Sequence, residues 1–279
     1  MRIVFMGSPD FAAPSLEALR DAGHEIPLVV CQPDKPAGRG RAVRLCPTKQ
    51  RAESLGLPVV CPDRIRGKVG ASFREQVAAL APDFLVVAAY GKILPKSLLA
   101  FPRVAPVNVH ASLLPRWRGA SPILHAILSG DADTGVCIMH MTPGMDEGGV
   151  YSAVREPIRP DDTCGALSDR LAARGAEALR DALPRIADGS LTPAEQPTEG
   201  ITLAPMLKKE DGRLDFAQPA SSLERRVRAM DPWPGAHTSF NGLPLKVFRA
   251  AVIEAAPAHA DAAPGAVIDA RTQVVVKCG

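Results

Sequence analysis

No run of apolar residues in this 279-residue chain is long enough to cross a membrane. One of the longest, Phe84 to Ala89, falls far short of the roughly 20 residues a spanning helix needs. Charge of one sign is also lacking: 33 Lys+Arg stand against 30 Asp+Glu, a formal net charge of +3 that by itself points to no particular partner. With 46% hydrophobic and 23% charged residues the chain is not disordered, and its length suits one large or two modest domains. The start, Met1 to Gly7, has neither the longer apolar region nor the small-residue cleavage site of a secretion signal, and reads as the first strand of a cytoplasmic protein.

Two sequence signatures are missing as well. The six cysteines (Cys31, Cys46, Cys61, Cys137, Cys164 and Cys278) form no C-x-x-C pair and have no His at metal-ligand spacing. They read as reduced, mostly buried small hydrophobes, and no metal is expected. There is also no G-x-G-x-x-G. The first turn, Gly7-Ser8-Pro9-Asp10, puts a proline and an acid where a dinucleotide pyrophosphate needs bare amides and positive potential, which excludes NAD binding and a P-loop.

What is present is an alternation of short β-rich runs with helical ones. Arg2 to Met6, Ile26 to Cys31, Leu57 to Cys61, Phe84 to Ala89 and Ala105 to Val109 read as strands. Between them lie helical stretches: Phe11 to Ala22 with Asp10 as its N-cap, Thr48 to Leu55 closed by Gly56, and Arg74 to Leu80. The continuous apolar run at Phe84 belongs in the middle of a parallel sheet, buried on both faces. The pattern predicts an α/β, doubly wound, Rossmann-like parallel sheet with ligands at the carboxyl ends of its strands. Val136 to Met141 and Val150 to Ile158 read as a further strand pair, followed by a helix from about Cys164 to Ile186.

Composition shifts after Gly189. Ser190 to Pro205 is rich in proline and without periodicity, as linkers are, and a shorter strand-rich unit begins at Lys208. The expected division is a catalytic domain at 1–189, a linker at 190–207 and a second domain at 208–279. The turns Asp211-Gly212 and Asn241-Gly242 punctuate that last part.

The densest polar constellation follows the strand ending at Val109. Asn108 and His110 are two residues apart, so in extended chain they share one side, about 6.5 to 7 Å apart along the strand. Asp146 lies in the glycine-flanked loop Thr142 to Gly149 after another strand. A single His in such a place is more often a satisfied structural residue than a catalyst. With an amide and a carboxylate at hand, however, the imidazole can be oriented and kept charged. An Asn amide and a protonated His suit a developing oxyanion, and Asp146 suits holding the His and taking a proton. No Ser or Cys stands as an obvious nucleophile, so the set fits direct acyl-type transfer between two bound substrates. The spacing leaves the acyl group open.

Asn108-x-His110-x-Ser112-Leu113-Leu114-Pro115-x-x-Arg118-Gly119, with Asp146 downstream, resembles the signature of the 10-formyltetrahydrofolate-dependent formyltransferases. Phe5 to Ala12, Gln32 to Gly40, Ala89 to Pro95 and Arg228 to Gly235 are similar to the branch that formylates methionyl initiator tRNA, in the same order along nearly the whole chain. The resemblance implies a formyltransferase domain followed by a small OB-like β-barrel, which here is expected to be incomplete, since the chain ends inside a strand-like run at Val275 to Gly279. It also implies that Asn108, His110 and Asp146 are catalytic, that Ser112, Leu113, Leu114 and Pro115 line the folate site, and that 10-formyltetrahydrofolate is the formyl donor. A monomer with no membrane association is expected.

The near-neutral total conceals a basic segment. Residues 35 to 51 hold Lys35, Arg39, Arg41, Arg44, Lys49 and Arg51 with no acid, so the remainder of the chain is net −3. Such a run is usually a solvated face. The resemblance implies that it enters the acceptor stem of initiator tRNA, with Arg39 as a specificity contact and Arg41, Arg44 and Lys49 on phosphates, where cations supply affinity and salt dependence. Arg225, Arg226 and Arg228 are weaker candidates for contact with the RNA backbone, and an ordinary solvated face explains them about as well. A formyltransferase for glycinamide ribonucleotide or an amino sugar nucleotide is the nearest alternative, and a non-catalytic RNA-binding protein is one from another class.

Overall fold

The computed structural model of the chain describes residues 1–37, 42–254, 256, 259 and 261–279, with backbone alone for 35–37 and 42–44. It divides into two compact units: Met1–Pro122, Thr134–Pro157 and Ser168–Ala204 make the first, and Ile123–Asp133, Ile158–Leu167 and Pro205–Gly279 the second.

The strands in chain order are β1 (Arg2–Gly7), β2 (Glu25–Val30), β3 (Lys35–Ala37), β4 (Ala42–Arg44), β5 (Val59–Val60), β6 (Phe84–Ala88), β7 (Ala105–His110), β8 (Arg118–Gly119), β9 (Asp133–His140), β10 (Val150–Pro157) and β11 (Leu203–Ala204). Seven of them form one sheet in the order β10-β9-β7-β6-β1-β2-β5. From β5 to β7 every pairing is parallel, and β9 runs antiparallel to β7. The chain first builds outward from β1 through β2 to β5, then returns to the other side of β1 with β6. That reversal opens a crevice at the carboxyl ends of the central strands, where β7 delivers Asn108 and His110.

The helices in chain order are α1 (Ala13–Asp21), α2 (Pro47–Ser54), α3 (Ala71–Ala79), α4 (Lys96–Leu99), α5 (Pro122–Ser129) and α6 (Cys164–Ala187). Proline near the N-terminus starts α1 and α2, since its fixed φ suits the first turn and its missing N–H is not needed there. Gly56, at φ +68°, closes the chain after α2. Asp10 does not cap α1: a short 3-10 turn, Asp10–Ala12, comes first, and no side chain caps either element.

All five residues of β6 are buried, as a central parallel strand requires. Val4, Met6, Leu28, Val30, Leu85 and Val87 pack with Phe73 and Val77 of α3 and Leu98 of α4 in one apolar cluster, each fully buried aliphatic side chain contributing about 1.5 to 3 kcal/mol. Gly7 ends β1 where nothing larger fits, because a Cβ there would lie 2.6 Å from Ala12 Cβ and 3.0 Å from the Ala88 carbonyl. Asp83 ties the start of β6 to β1, accepting the Arg2 N–H at 2.7 Å and the Arg103 guanidinium at 2.6 Å.

The segment expected to be a basic loop begins and ends as a hairpin, with β3 antiparallel to β4. The proline-rich stretch after Gly189 is likewise bonded into the first unit. Ala194 exchanges backbone hydrogen bonds with Val150 at 2.8 and 2.9 Å, and β11 runs parallel to β8.

In the second unit a helix that composition did not suggest, α7 (Ala220–Ala229), buries Leu223, Val227 and Ala229. Its strands are two antiparallel pairs, β12 (His237–Phe240) with β13 (Leu243–Lys246), and β14 (Val267–Asp269) with β15 (Val275–Val276). Asn241-Gly242 joins the first pair, both residues at positive φ as a type I′ turn demands.

Candidate active site

Strand β7 sits between β6 and β9, with Asn108 opposite Val87 on one side and Met139 on the other, and His110 opposite Cys137. Both polar side chains are therefore buried, Asn108 at 9% and His110 at 5% exposure. A polar group in such a position needs a partner or a ligand. His110 has its partners: Nε2 lies 3.1 Å from the Trp117 carbonyl, and Nδ1 faces Asp146 Oδ2 at 3.6 Å. A carbonyl can only accept, so Nε2 donates to Trp117. The second distance is that of an ion pair and longer than a hydrogen bond. The Asn108 backbone is paired in the sheet, while its side-chain amide makes no hydrogen bond among the described residues, which leaves a buried amide free to donate.

Asp146 is held from several directions. Its Oδ2 accepts the Gly119 N–H at 2.8 Å and its backbone carbonyl accepts Gln196 Nε2 at 2.7 Å. Its φ of +50° is left-handed, a conformation that costs a non-glycine residue about 1 to 2 kcal/mol. Gln196 also donates to the Gly148 carbonyl at 2.8 Å and accepts the Arg118 guanidinium at 3.0 and 2.7 Å. Sequence reading missed Gln196, which stands in an aperiodic proline-rich stretch with nothing around it to mark it.

The residues expected at the folate site follow directly. Ser112 is fully buried and its hydroxyl donates to the Arg116 carbonyl at 2.6 Å, fixing the turn. Leu113, Leu114 and Pro115 are half-buried and keep part of their apolar surface accessible, and Leu113 packs against Gly135 of β9. Trp117, at φ +62°, turns the chain so that its carbonyl meets His110, and the Arg116 guanidinium stacks 4.3 Å over its ring.

Of the residues expected at tRNA, Arg39 and Arg41 lie outside the described residues, and Arg44 is described by its backbone in β4. Lys49 is paired: its ammonium lies 2.6 Å from Asp34 Oδ2. Arg225 and Arg228 line a groove in the second unit, where Arg225 bonds the Leu128 carbonyl and Arg228 pairs with Glu224.

Cys31, Cys46 and Cys137 are buried and Cys61, Cys164 and Cys278 partly so, all as free thiols. Burial pushes the Cys137 thiol up to about 11, which keeps it protonated and inert. No group of side chains suited to a metal ion occurs among the described residues, and no described helix is long and apolar enough to cross a membrane.

Residues 1–183 match the family model described as formyl transferase, and residues 206–279 match the formyl transferase C-terminal domain. The chain belongs to the formyl transferase family. It is 51% identical to the methionyl-tRNA formyltransferase of Myxococcus xanthus over 89% of this chain and 78% of that protein. It is 47% identical to that of Acidiphilium cryptum over 100% of this chain and 88% of that protein. The fold is also that of a sugar N-formyltransferase from a Shewanella species, with a TM-score of 0.68 at 15% identity over 91% of this chain and 99% of that one. HypX from Aquifex aeolicus matches at a TM-score of 0.68 and 18% identity, over 100% of this chain and 44% of its own. The family's fold thus spans chains of very different sequence, and it is the relatives near half-identity that narrow the chemistry.

Proposed function

We propose that this enzyme transfers the formyl group of 10-formyltetrahydrofolate to the free α-amine of methionyl initiator tRNA. The observation that carries the chemistry is the unpartnered amide of Asn108 beside the His110 and Asp146 pair. The acceptor is supported by the likeness to methionyl-tRNA formyltransferases, which extends along the whole chain.

In the reaction the amine nitrogen bonds to the formyl carbon, the carbonyl electron pair moves to oxygen, and the bond to N10 breaks as the intermediate collapses. Asn108 donates to that oxygen as its charge grows, a preorganised contact in a site where water competes poorly. His110 sits two residues along the same face and adds positive charge. Direct donation from its Nε2 requires exchanging the Trp117 carbonyl for the substrate oxygen, because that nitrogen is already committed. Asp146 faces the imidazole and takes the proton the attacking amine must lose, and N10 of the departing tetrahydrofolate gains a proton as its bond to the formyl carbon breaks, so the step balances. Leu113, Leu114 and Pro115 offer an apolar wall to the pterin of the donor. Arg39 and its neighbours read the acceptor end of the tRNA.

The test supplies purified protein with 10-formyltetrahydrofolate and, in separate reactions, methionyl initiator tRNA, methionyl elongator tRNA, glycinamide ribonucleotide and an amino sugar nucleotide. Rapid formylation of the initiator tRNA is expected. Formylation of either small acceptor with none of the tRNA would overturn the assignment.

A further inference from the structure

We propose that Gln196 is a positioning residue that sets the catalytic geometry of Asp146 through a two-sided bracket. The inference rests on the proposed role of Asp146 and adds a residue remote from it in sequence.

A primary carboxamide offers two donors and two acceptor lone pairs, and Gln196 uses all four. On one side its oxygen takes two N–H groups from Arg118, at 3.0 and 2.7 Å, in the fork arrangement a guanidinium presents. On the other side its nitrogen gives to the carbonyls of Asp146 and Gly148 at 2.7 and 2.8 Å. The side chain therefore ties β8 to the loop that carries Asp146. The same two segments meet again where the Gly119 N–H reaches Asp146 Oδ2 at 2.8 Å.

Two features show why a bracket is needed there. Asp146 is held at φ +50°, so the loop relaxes unless its carbonyls are fixed. The carboxylate stands 3.6 Å from His110 Nδ1, near the limit of a useful ion pair, and a small displacement would separate them. Gln196 itself is anchored by its neighbours in sequence, since Ala194 pairs with Val150 and the Thr202 carbonyl accepts the Arg118 N–H at 2.9 Å. None of these contacts reaches the reacting atoms, so the residue acts through Asp146.

The experiment compares Gln196→Ala, Gln196→Glu, Asp146→Asn and the Gln196→Ala/Asp146→Asn double variant with wild type, by steady-state kinetics and by amide hydrogen exchange. Gln196→Ala is expected to lower kcat at least about tenfold while KM for the formyl donor stays within about twofold, the signature of lost alignment. Gln196→Glu keeps the size and the Arg118 contact but loses both donations, so it falls in the same direction and decides the matter if the alanine variant is unstable. In the Asp146→Asn background, adding Gln196→Ala should cost nothing further. Independently of activity, exchange of the Gly119 amide should speed up about tenfold in Gln196→Ala, with the Val86 amide of β6 unchanged. Wild-type kcat in the single variants, a multiplicative loss in the double variant, or wild-type exchange at Gly119 overturns the proposal. A wild-type protein that formylates no tRNA overturns the functional reading instead, and the exchange at Gly119 still decides the bracket.

Discussion

Lys49 and Asp34 form an ion pair of 2.6 Å, and the second carboxylate oxygen of Asp34 takes the Cys46 N–H at 2.8 Å. The hydrogen bond from Lys49 holds the Asp34 carboxyl below its ordinary range, and the same bond pushes the Lys49 ammonium up. Asp34 precedes β3 and Lys49 lies in α2 after β4, so the pair clasps the two ends of the basic hairpin. Lys49→Ala and Asp34→Asn are therefore expected to raise KM for tRNA to a similar degree, with the salt dependence of KM unchanged in slope. A slope that falls by about one unit for Lys49→Ala alone, as a lost phosphate contact produces, would return Lys49 to the RNA.

Asn108→Ala is expected to lower kcat by about 10² or more, the cost of one oxyanion donor, with the fold intact because the amide has no partner to leave behind. His110→Ala and Asp146→Ala should each fall comparably, and the pair together no further than either alone. Single-turnover formylation of initiator tRNA measures all three. Near-normal turnover in any one removes that residue from the chemistry.

The end of β1 should not tolerate a methyl group. Gly7→Ala places a Cβ 2.6 Å from Ala12 and 3.0 Å from the Ala88 carbonyl, both on well-packed elements. Overpacking of this kind costs about 1 to 3 kcal/mol, read as a lower denaturant midpoint with the slope unchanged. A midpoint equal to wild type would show that the turn into α1 yields freely.

Asp83 should contribute to the acid side of the stability profile. The Arg2 N–H, and then the Arg103 guanidinium, hold its carboxyl below the usual range. A depressed folded-state value means stability that is present above the unfolded value near 4 and lost as pH falls through the folded one. Urea titrations between neutral pH and about pH 3 should show a shallower decline for Asp83→Asn than for wild type. Parallel profiles would count against this carboxylate. Because the Arg103 side chain is largely exposed, the contribution is small.

Much of the first unit is legible from pattern alone. Phe84 to Ala88 announces a central strand by having no polar residue to place in water, and Asn108 and His110 mark a candidate site by putting polar groups on a strand with apolar neighbours. The left-handed bend at Asp146 and the bracket from Gln196 are different in kind. They depend on segments far apart in sequence meeting in space, and hydrophobic periodicity carries no information about that. Helix α7 was hidden for another reason: three arginines and a glutamate among ten residues mask the spacing of Leu223, Val227 and Ala229. The hairpin β3–β4 escaped because a run of cations with glycines reads as solvated loop, whatever backbone pairing lies within it.

The stretch Ala194 to Ala204 has a practical consequence for dissecting this enzyme. Its composition invites a cut just after Gly189, and the formyl transferase match itself ends at residue 183. A fragment cut there would carry Asn108, His110 and Asp146 yet lose Gln196, the strand β11 that pairs with β8, and the Ala194 bridge to Val150. Such a fragment would leave Arg118 and the edge of β8 to find other partners, other copies of itself included. Any shortened form of this chain that is to keep the bracketed geometry therefore has to retain at least the residues through Ala204.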